Sequence, residues 1–575
     1  MEFLPVRPAR HLPVAPRESA RPSHDPTFDV ECNVVIAGGG PGGLAAAVFS
    51  RWLGAEVLLL EKAPETGGTG VKAAFCCWAP DNRWQREAGL EDSEEDFLRL
   101  VARTARPERY DPDSATLGQS EWEFAAYKAI YESAKVALQE LHDRGVLRFR
   151  FEPQHGEYWP NLAENLFEGG RGVYPEGLNE TGTNGGPIAM DALLNGAEEA
   201  GVDIRTGHRV QRLIMDGERV AGVIATTADG KTLRAGASWG VLFATGGFTH
   251  DRELTDNFLA RPVRGGGAAR TNEGDFVRIA PPAGAQLRNM QYAWGGPVNL
   301  SKVLREDPAM QCTFLRAGDS MICVNPRGER VLNEKLPYNE FVARMFDWDA
   351  SSCEYPNRLL IQIWDEHTQE HSVAPNDFMG SAVLPPDQRG DQVLVGNTLD
   401  ELRDAIAERL DEWTAHTGNA RLSDDFLETL QATIDRFNGF ARTGVDADFH
   451  RGDRGVEQWM FGGIVADEPD KPNPVMYPIA ADGPYYATLL VPGTLDTKGG
   501  PKVDADGRLV DDRDRPIPGL YGVGNCVASV SASGYWAAGG TLGPIFGFAH
   551  RAASAMSADC SSQPVATRAR EQAPA

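Results

Sequence analysis

Residues 33–62, NVVIAGGGPGGLAAAVFSRWLGAEVLLLEK, decide the fold of this chain. The apolar start of this stretch is typical of a buried strand, and the strand ends in three glycines with G-x-G-x-x-G spacing, namely Gly38, Gly40 and Gly43. Alanine-rich residues at about 44–53 have the composition of a helix, and a second apolar run, 57–60, ends in Glu61. This order of strand, loop, helix, strand and acid predicts a dinucleotide-binding βαβ unit.

The three glycines have separate physical roles in such a unit. Gly38 permits the tight turn, Gly40 lets the backbone approach a pyrophosphate, and Gly43 lets the helix pack closely on the strand. The helix N-terminus offers free N–H donors to the phosphates, and Glu61 would accept hydrogen bonds from a ribose. An ordinary glycine-rich loop could show the same triplet, but it would not need the flanking strands and the terminal acid.

The composition is that of a globular protein with more than one domain. The chain has 575 residues, of which 42% are hydrophobic and 24% are charged. Its net charge of −26 repels phosphate groups, so neither nucleic acid nor an anionic membrane is an expected partner. No run of about 18 apolar residues occurs in the sequence, and no membrane span is therefore expected.

The cysteines and the N-terminal residues bear on localisation. Eight cysteines are scattered without a C-x-x-C pair, which excludes zinc, iron–sulfur and haem-attachment spacings and fits reduced thiols in the cytosol. Residues 1–29 are rich in Pro and Arg and lack the apolar core of a secretory signal, so we interpret them as a flexible extension. We expect a cytoplasmic protein without a metal site, because His367 and His371 have no third ligand at a readable spacing.

Glycine-rich turns recur at the ends of apolar segments. Residues 64–72 form a second glycine loop, residues 239–248 are an apolar strand that ends in Ala-Thr-Gly-Gly, and residues 271–275 open a short helix with an acidic residue. Paired glycines return within 483–543, before a final apolar helix that is predicted over 544–556. These turns predict that the chain repeatedly brings its backbone back to one bound cofactor.

Between 299 and 478 the character of the sequence changes. A capping box at Thr398 begins one amphipathic helix, and a second is predicted from Ser423 to Asn438, both with apolar stripes of the kind that face a core. The loop 153–186 has no period and is expected to be functional or disordered. The predicted division is an N-terminal extension 1–29, a cofactor domain 30–298 and 479–557, an α+β cap 299–478, and a flexible tail 558–575.

Several motifs between Val34 and Met556 are those of a known family: GGGPGG, VLLLEK, FATGGF, TNEGD, LDTKGGP, IPGLYGVGN and GYWAAGGTLGP. The chain resembles the fumarate reductase and 3-ketosteroid dehydrogenase superfamily of FAD proteins. The resemblance implies an α/β fold, in which a Rossmann-like two-dinucleotide FAD-binding domain is interrupted by an α+β cap, with the active site between them. The FAD-binding positions are expected to be Gly38, Gly40, Gly43, Glu61, Lys62, Gly68, Thr69, Ala244, Thr245, Gly246, Asp275, Gly524, Asn525, Thr541 and Leu542.

Two positions resemble the steroid branch of that superfamily. Tyr338 stands where reductases of small unsaturated acids have a proton-donating Arg, and the steroid enzymes use a tyrosine there to abstract the substrate proton. Tyr535 and Gly539 have the spacing of the tyrosine hydroxyl and glycine amide that hold the 3-keto oxygen in those enzymes. The resemblance therefore implies that Tyr338 is the general base and that Tyr535 and Gly539 form an oxyanion hole.

The implied function is an FAD-dependent dehydrogenation that introduces a C=C bond next to the ketone of a neutral polycyclic, 3-ketosteroid-like substrate. Tyr338 takes a proton, a hydride passes to the flavin N5, and an unidentified electron acceptor then reoxidises the flavin. The expected partner is a hydrophobic ketone, and candidate substrate contacts are Tyr127, Tyr486 and Trp536. The sequence carries no signal of oligomeric state.

Alternatives remain open on the sequence. An ene-reductase of an unsaturated ketone or acid would reverse the electron flow, with Arg344 near the proton-donor position, and a natural-product tailoring dehydrogenase would use the same chemistry. Without flavin, the fold also serves as a protein-binding scaffold in GDP dissociation inhibitors. Cys76 and Cys77 are interpreted as pocket or core packing. The steroid enzymes have one further active-site tyrosine, for which the candidates are Tyr110, Tyr127 and Tyr131.

Overall fold

The computed structural model describes residues 27–153, 157–177, 185–306, 311–373, 380–461, 465, 468 and 470–562. Its strands are β1 Val30–Ala37, β2 Val57–Leu60, β3 Cys77–Trp78, β4 Phe149–Phe151, β5 Gly172–Pro175, β6 Asp203–Arg205, β7 His208–Asp216, β8 Arg219–Thr227, β9 Thr232–Phe243, β10 Leu287–Arg288, β11 Ala293–Asn299, β12 Met321–Val324, β13 Leu360–Asp365, β14 Leu394–Gly396, β15 Tyr485–Thr497, β16 Gly500–Pro501, β17 Arg508–Val510 and β18 Pro516–Gly522.

The helices lie between these strands and at the C-terminal end of the described chain. They are α1 Pro41–Trp52, α2 Arg83–Glu87, α3 Glu94–Ala105, α4 Glu121–Asp143, α5 Gly185–Glu199, α6 Arg252–Phe258, α7 Asp275–Ile279, α8 Leu300–Leu304, α9 Tyr338–Arg344, α10 Glu366–His371, α11 Leu399–Glu412, α12 Thr414–Thr417, α13 Phe426–Thr443, α14 Gly455–Phe461 and α15 Leu542–Ser562.

Strand β1 lies inside the main sheet, whose order is β17-β18-β9-β1-β2-β6, with β8 and then β7 also paired beside β9. It pairs in parallel with both β2 and β9. Val34 and Ile36 belong to a core cluster with α1 and α15, whereas Val35 and Ala37 belong to a second cluster that includes Phe276. Both faces of β1 are therefore buried, as expected of a parallel strand in an α/β sheet. The predicted α/β, Rossmann-like fold is confirmed.

The glycine loop lets α1 approach the end of β1 very closely. A Cβ atom added to Gly43 would lie 1.9 Å from the carbonyl oxygen of Gly38. Gly38 itself has φ +107°, in the region that favours glycine, and a Cβ there would lie 2.4 Å from the carbonyl oxygen of Ala244. Gly38 thus makes the turn and Gly43 makes the helix contact, in agreement with the sequence-based expectation.

A second, antiparallel sheet has the order β11-β15-β13-β12, with β14 beside β15. Helices α11 and α13 bury their apolar stripes in the core that includes this sheet, through Leu402, Ile406, Leu430 and Ile434. The predicted core-facing stripes are confirmed. Strand β15, and all of β11 except Asn299, lie outside 299–478. The second sheet therefore includes chain from both sides of the predicted cap, and the limits of that cap stay a prediction.

The predicted limits of α13 were wrong at both ends. The backbone N–H of Ser423 donates to Pro326, and the helix begins only at Phe426. Asn438 does not stop the helix, because its side chain bonds both the N–H and the carbonyl of Ile479, at 2.7 and 2.8 Å. A tertiary contact thus satisfies a residue that would otherwise favour a helix end, and the helix continues to Gly444 at φ +78°.

The final helix also exceeds its prediction. Helix α15 begins at Leu542 and runs to Ser562, past the predicted end at 556 and into the predicted tail. Asp559 explains the extra turns, because its carboxylate accepts hydrogen bonds from Arg508 and Tyr521. The remainder of the predicted tail, and the extension up to residue 26, lie outside the described residues. Within the described chain, no helix combines the length and the apolarity that a bilayer crossing requires.

We expect Gly43→Ala to destabilise the protein by about 1–3 kcal/mol, because the added methyl group must displace the Gly38 carbonyl or the helix. Gly439→Ala is the matched control, since it also adds a methyl group to a helix but has nothing within 4 Å of the new atom. That control should stabilise by about 0.5–1 kcal/mol. Thermal midpoints measured by calorimetry compare the two variants, and equal midpoints would contradict the close approach at Gly43.

Candidate active site

A cavity of about 690 Å³ lies where β1, β2 and β9 end and face the second sheet. All the predicted cofactor positions except Gly43 line it: Gly38, Gly40, Glu61, Lys62, Gly68, Thr69, Ala244, Thr245, Gly246, Asp275, Gly524, Asn525, Thr541 and Leu542. Gly43 lies behind the loop, where it packs on Gly38. The dispersed glycine-rich turns of the sequence therefore meet at one place.

The glycine loop and the start of α1 fit an anionic cofactor. A Cβ added to Gly40 would have only the carbonyl oxygen of Gly67 within reach, at 4.0 Å, so this part of the loop leaves room for a ligand. Gly40 is the N-cap of α1, and no side chain caps the first turn of the helix. The N–H groups of that turn remain available as donors for a pyrophosphate, as the βαβ motif requires.

Glu61 supports the glycine loop from the end of β2. Its Oε2 accepts a hydrogen bond of 2.7 Å from the backbone N–H of Gly39, and its Oε1 accepts one of 2.7 Å from Ala63. The carboxylate is 8% exposed and lines the cavity. It therefore fixes the turn that follows β1, and the predicted contact with a ribose remains a prediction.

Lys62 and Asp275, both predicted to bind the cofactor, pair with each other across the cavity edge. The Nζ of Lys62 lies 2.5 Å from Asp275 Oδ2 and 3.2 Å from Glu273 Oε2. Arg209 joins the same group through Asp275 Oδ1 at 2.7 Å. The cluster ties the end of β2, strand β7 and the start of α7 together beside the glycine loop.

Asp496 is a candidate site residue that sequence reasoning missed. It is 1% exposed, lines the cavity and lies near the end of β15. Its carboxylate accepts hydrogen bonds of 2.9 Å from the backbone N–H groups of Gly247 and Thr497. The side chains of Thr249, Asn272 and Asn525 donate three more, at 3.0, 2.7 and 3.1 Å. Burial raises the pKa of this carboxyl, and these hydrogen bonds oppose the shift. An acid at the end of an otherwise apolar strand was the available signal in the sequence.

Tyr338 and Tyr158 share a hydrogen bond at the second-sheet side of the cavity. Their hydroxyl oxygens are 2.9 Å apart and both rings line the cavity. Tyr338 is the first residue of α9, and Tyr158 comes from the loop 153–186 that was predicted to be functional or disordered. Tyr158 was not among the candidates for a further tyrosine, because its position depends on a loop without any readable pattern.

Tyr535 completes the group. Its ring stacks on that of Tyr158, with centroids 5.5 Å apart at 21°, and meets the Tyr338 ring edge-on at 5.3 Å. Gly539 also lines the cavity at φ +82°, and a Cβ there would lie 2.6 Å from the carbonyl oxygen of Cys76. Among the described residues, no acceptor takes a hydrogen bond from the Gly539 N–H. The structure thus brings together all three positions that were predicted to be catalytic.

The three phenols are held in their neutral form. Burial raises the pKa of Tyr338 well above the usual value of 10. Burial likewise raises the pKa of Tyr158 far above its ordinary range and that of Tyr535 to about 12. Each hydroxyl can therefore donate a hydrogen bond, and a phenolate would need additional stabilisation from a bound ligand or cofactor.

The wall that the second sheet and its helices contribute is apolar. Phe314, Leu315, Trp459 and Met460 line it beside the tyrosines. The charged side chains of the lining are Glu61, Lys62, Lys72, Arg209, Asp275 and Asp496, and none of them comes from the described residues between 299 and 478. A ligand at this wall meets rings, methyl groups and neutral hydroxyls.

The three predicted substrate contacts lie elsewhere. Tyr127 is buried in a separate core and donates to the carbonyl of Val530 at 3.1 Å, and Trp536 stacks on Trp78 in that same core. The hydroxyl of Tyr486 contacts Glu366 on the opposite side of the second sheet. None of the three lines the cavity. Tyr127 lies on α4, whereas Tyr486 and Trp536 belong to other cores than their chain neighbours Tyr485 and Tyr535, as expected where alternate residues face opposite sides.

Other residues singled out in the sequence also have definite places. Cys76 lines the cavity, whereas Cys77 lies in the core of the main sheet. His367 pairs with Asp319 at 3.4 Å, and Nδ1 of His371 faces the His367 carbonyl oxygen at 2.8 Å. These histidines therefore make local contacts at α10, and neither of them lines the cavity.

Comparisons with known proteins show the family of the chain. A family described as an FAD binding domain matches residues 33–542. A 4-oxocyclohexanecarboxylate 2-dehydrogenase of Sinomonas cyclohexanicum is 30% identical over 89% of this chain and 90% of its own length. A 3-oxosteroid 1-dehydrogenase of Mycobacterium tuberculosis is 28% identical over 91% of this chain and 98% of its own.

A solved structure shares the fold. It is that of 3-ketosteroid delta1-dehydrogenase from Sterolibacterium denitrificans in complex with 1,4-androstadiene-3,17-dione. The two chains superimpose with a TM-score of 0.75 at 24% identity, over 92% of this chain and 99% of that one.

We expect Asp496→Asn to weaken the binding free energy of the cofactor by about 1–3 kcal/mol. The NH₂ group of the new amide cannot accept a hydrogen bond, so buried donors that now bond the carboxylate would lose their acceptor. The measurement is the flavin absorbance that remains with the protein after gel filtration, together with the flavin dissociation constant. Asp229→Asn, in the exposed turn between β8 and β9, serves as the control. Full flavin retention by Asp496→Asn would remove this residue from the support of the cavity.

Proposed function

The chain belongs to the family described as an FAD binding domain and is an FAD-dependent oxidoreductase, and we propose that it dehydrogenates a neutral cyclic ketone. The product carries a C=C bond next to the carbonyl, and the preferred substrate is polycyclic and steroid-like. The observation that supports this proposal most is the convergence of Tyr338, Tyr158 and Tyr535 on one apolar part of the cofactor cavity.

The names of the relatives favour a ring ketone as substrate. One is named for a 4-oxocyclohexanecarboxylate and another for a 3-oxosteroid, so both act on a carbon next to a ring carbonyl. The first of these substrates carries a carboxylate, and the second does not. The absence of a cation from the described cap wall favours the neutral substrate, because a carboxylate there would be desolvated without a partner.

The cofactor would be held by the residues that line the cavity around the glycine loop. Gly40 and the first turn of α1 would offer backbone N–H groups to the pyrophosphate, whereas the N–H of Gly38 donates to the carbonyl of Leu60 and holds the turn. Asn525 and Thr541 also line the cavity, and Asn525 accepts a hydrogen bond of 3.1 Å from Trp294, whose ring meets that of Tyr535. FAD, when bound, supplies the acceptor for the hydride that leaves the substrate.

Tyr535 and Gly539 bind and polarise the ketone oxygen. The Tyr535 hydroxyl and the Gly539 N–H would both donate to it, and negative charge that develops on this oxygen would be stabilised in a site with little water. Removal of one such donor typically costs about 10²–10³ in rate. The raised pKa of Tyr535, to about 12, keeps its hydroxyl protonated and able to donate.

Tyr338 removes the proton from the carbon next to the ketone. Its hydroxyl shares a hydrogen bond with that of Tyr158, and when Tyr338 ionises the Tyr158 O–H donates to the phenolate. Such a donor stabilises the charged form and lowers the cost of using a phenol as base. Tyr158 is therefore proposed as the further active-site tyrosine.

The reverse reaction, reduction of an unsaturated ketone, would use the same side chains. Reduction of an unsaturated acid by a fumarate-type mechanism has less support, because Arg344 is half exposed, pairs with Asp347 at 3.0 Å and does not line the cavity. Position 338 itself carries a phenol. We therefore propose a ketone rather than an acid as the substrate for either direction.

We expect anaerobic mixing of the flavin-loaded protein with a panel of 3-ketosteroids and smaller cyclic ketones to bleach the visible flavin band. Tyr338→Phe should lower the limiting rate of bleaching by about 10²–10⁴-fold while the flavin stays bound, because only the base is lost. Tyr486→Phe, a tyrosine of the second sheet outside the cavity, is the matched control and should react like the parent. Failure of every ketone to bleach the flavin would refute the proposed function.

We also expect the limiting rate of bleaching to rise with pH by up to about tenfold per unit between roughly pH 6 and 9. The reason is that the pKa of Tyr338 is raised, so the phenolate fraction keeps increasing tenfold per unit throughout that range. Stopped-flow measurements at saturating ketone give the profile, and chemical reduction of the flavin at each pH gives the control. A plateau that begins below about pH 8 would assign the base to another group.

A further inference from the structure

The turn that precedes Tyr535 has a strained backbone, and hydrogen bonds from Ser533 and Lys498 fix it. Ala532 has φ +44°, which places a residue with a Cβ in the left-handed region. Such a conformation persists only where the surroundings over-determine it, and it is often found at functional sites. Ser533 fixes one side of the turn by donating from its backbone N–H and its hydroxyl to the carbonyl of Ala105.

Lys498 fixes the other side. Its Nζ donates to the carbonyl oxygens of Ala532, at 2.9 Å, and Gly534, at 2.6 Å. The same ammonium group lies 4.0 Å from the centre of the Trp294 ring. Lys498 is 0% exposed, so two carbonyls and an aromatic face surround a cation that has no access to solvent.

These contacts act directly on the neighbouring Tyr535. The peptide bond is planar, so holding the Gly534 carbonyl fixes the plane that carries the N–H and Cα of Tyr535. Trp294, on which the ammonium rests, meets the Tyr535 ring edge-on at 4.9 Å and 89°. Lys498 therefore supports Tyr535 through its backbone and through its ring.

The surroundings show that Lys498 is not part of an ordinary ion pair. Among the described residues, no carboxylate lies within ion-pairing distance of its Nζ. Burial lowers the pKa of this ammonium to about 7, and the charge of Glu340 opposes the shift. A buried lysine is costly, and here its hydrogen bonds go to the two carbonyls that flank Ser533.

We propose that Lys498 is a positioning residue that fixes Tyr535 in the orientation in which its hydroxyl holds the ketone oxygen. The consequence for turnover rests on the proposed function, but the consequence for the order of Tyr535 does not. The two parts can therefore be tested separately on the flavin-loaded full chain.

The first test needs no ketone. 3-Fluorotyrosine at position 535 reports its surroundings by fluorine NMR, and the parent should give one sharp resonance. Lys498→Met keeps the length of the side chain but removes the ammonium, so we expect a shifted and broadened or split resonance. Lys502→Met is the matched control, because Lys502 lies near Trp122 and Asp514 instead of the tyrosines. An unchanged Tyr535 signal in Lys498→Met would overturn the proposal, even if no ketone substrate had been found.

The second test separates positioning from stability. Lys498→Met should lower the limiting rate of flavin bleaching by about 10- to 100-fold, as expected for a misplaced binding group. Ala532→Gly, added to this variant, relieves the strain of the turn and should restore the thermal midpoint without restoring the rate. The double variant also provides a folded protein if Lys498→Met alone is too unstable.

The outcomes distinguish the two proposals. If the rate recovers together with the thermal midpoint in the double variant, Lys498 supports stability only and the positioning role is wrong. If the parent protein is not bleached by any ketone but Tyr535 loses order in Lys498→Met, the proposed function fails while the positioning role stands. Parent-like bleaching by Lys498→Met would also refute the positioning role.

Discussion

The cavity depends on a buried carboxylate that several loops share. Asp496 accepts hydrogen bonds from the turn after β9, from the loop before α7 through Asn272, and from the loop after β18 through Asn525. Each of those segments lines the cavity. Because the donors meet at a single side chain, the segments are positioned relative to one another and not only relative to the sheet. A loss of this carboxylate would leave buried donors unsatisfied in all of them at once.

Burial has two effects on the tyrosines beside this cavity. It disfavours the ionised form of Tyr338, and it removes the water that would compete for hydrogen bonds with Tyr535. The same low-dielectric surroundings strengthen the interaction of fixed donors with any charge that develops on a bound ligand. Under the proposed function, the site favours a group that acquires negative charge during reaction, and the proposed base is intrinsically difficult to ionise.

The sequence predicted those features that depend on local pattern or on resemblance. The glycine spacing located the βαβ unit, and the predicted cofactor positions other than Gly43 line one cavity because they follow strand ends or glycine-rich turns. Tyr338 and Tyr535 were identified by resemblance to a family. Tyr158, Asp496 and Lys498 were not assigned a role, because the roles proposed for them depend on contacts between segments distant in the chain. The wrong end of α13 has the same cause, since a partner at Ile479 satisfies Asn438.

Strand β15 belongs to the second sheet along most of its length and ends among the loops of the first. A rigid rotation of the second sheet away from the main sheet would therefore pull Asp496 out of several hydrogen bonds in one step. Entry and exit of a molecule are consequently easier through displacement of side chains at the apolar wall, where Trp459 and Met460 are only partly buried. The strand thus restrains hinge motion between the two sheets, and a few side chains of the apolar wall set the width of the entrance to the cavity.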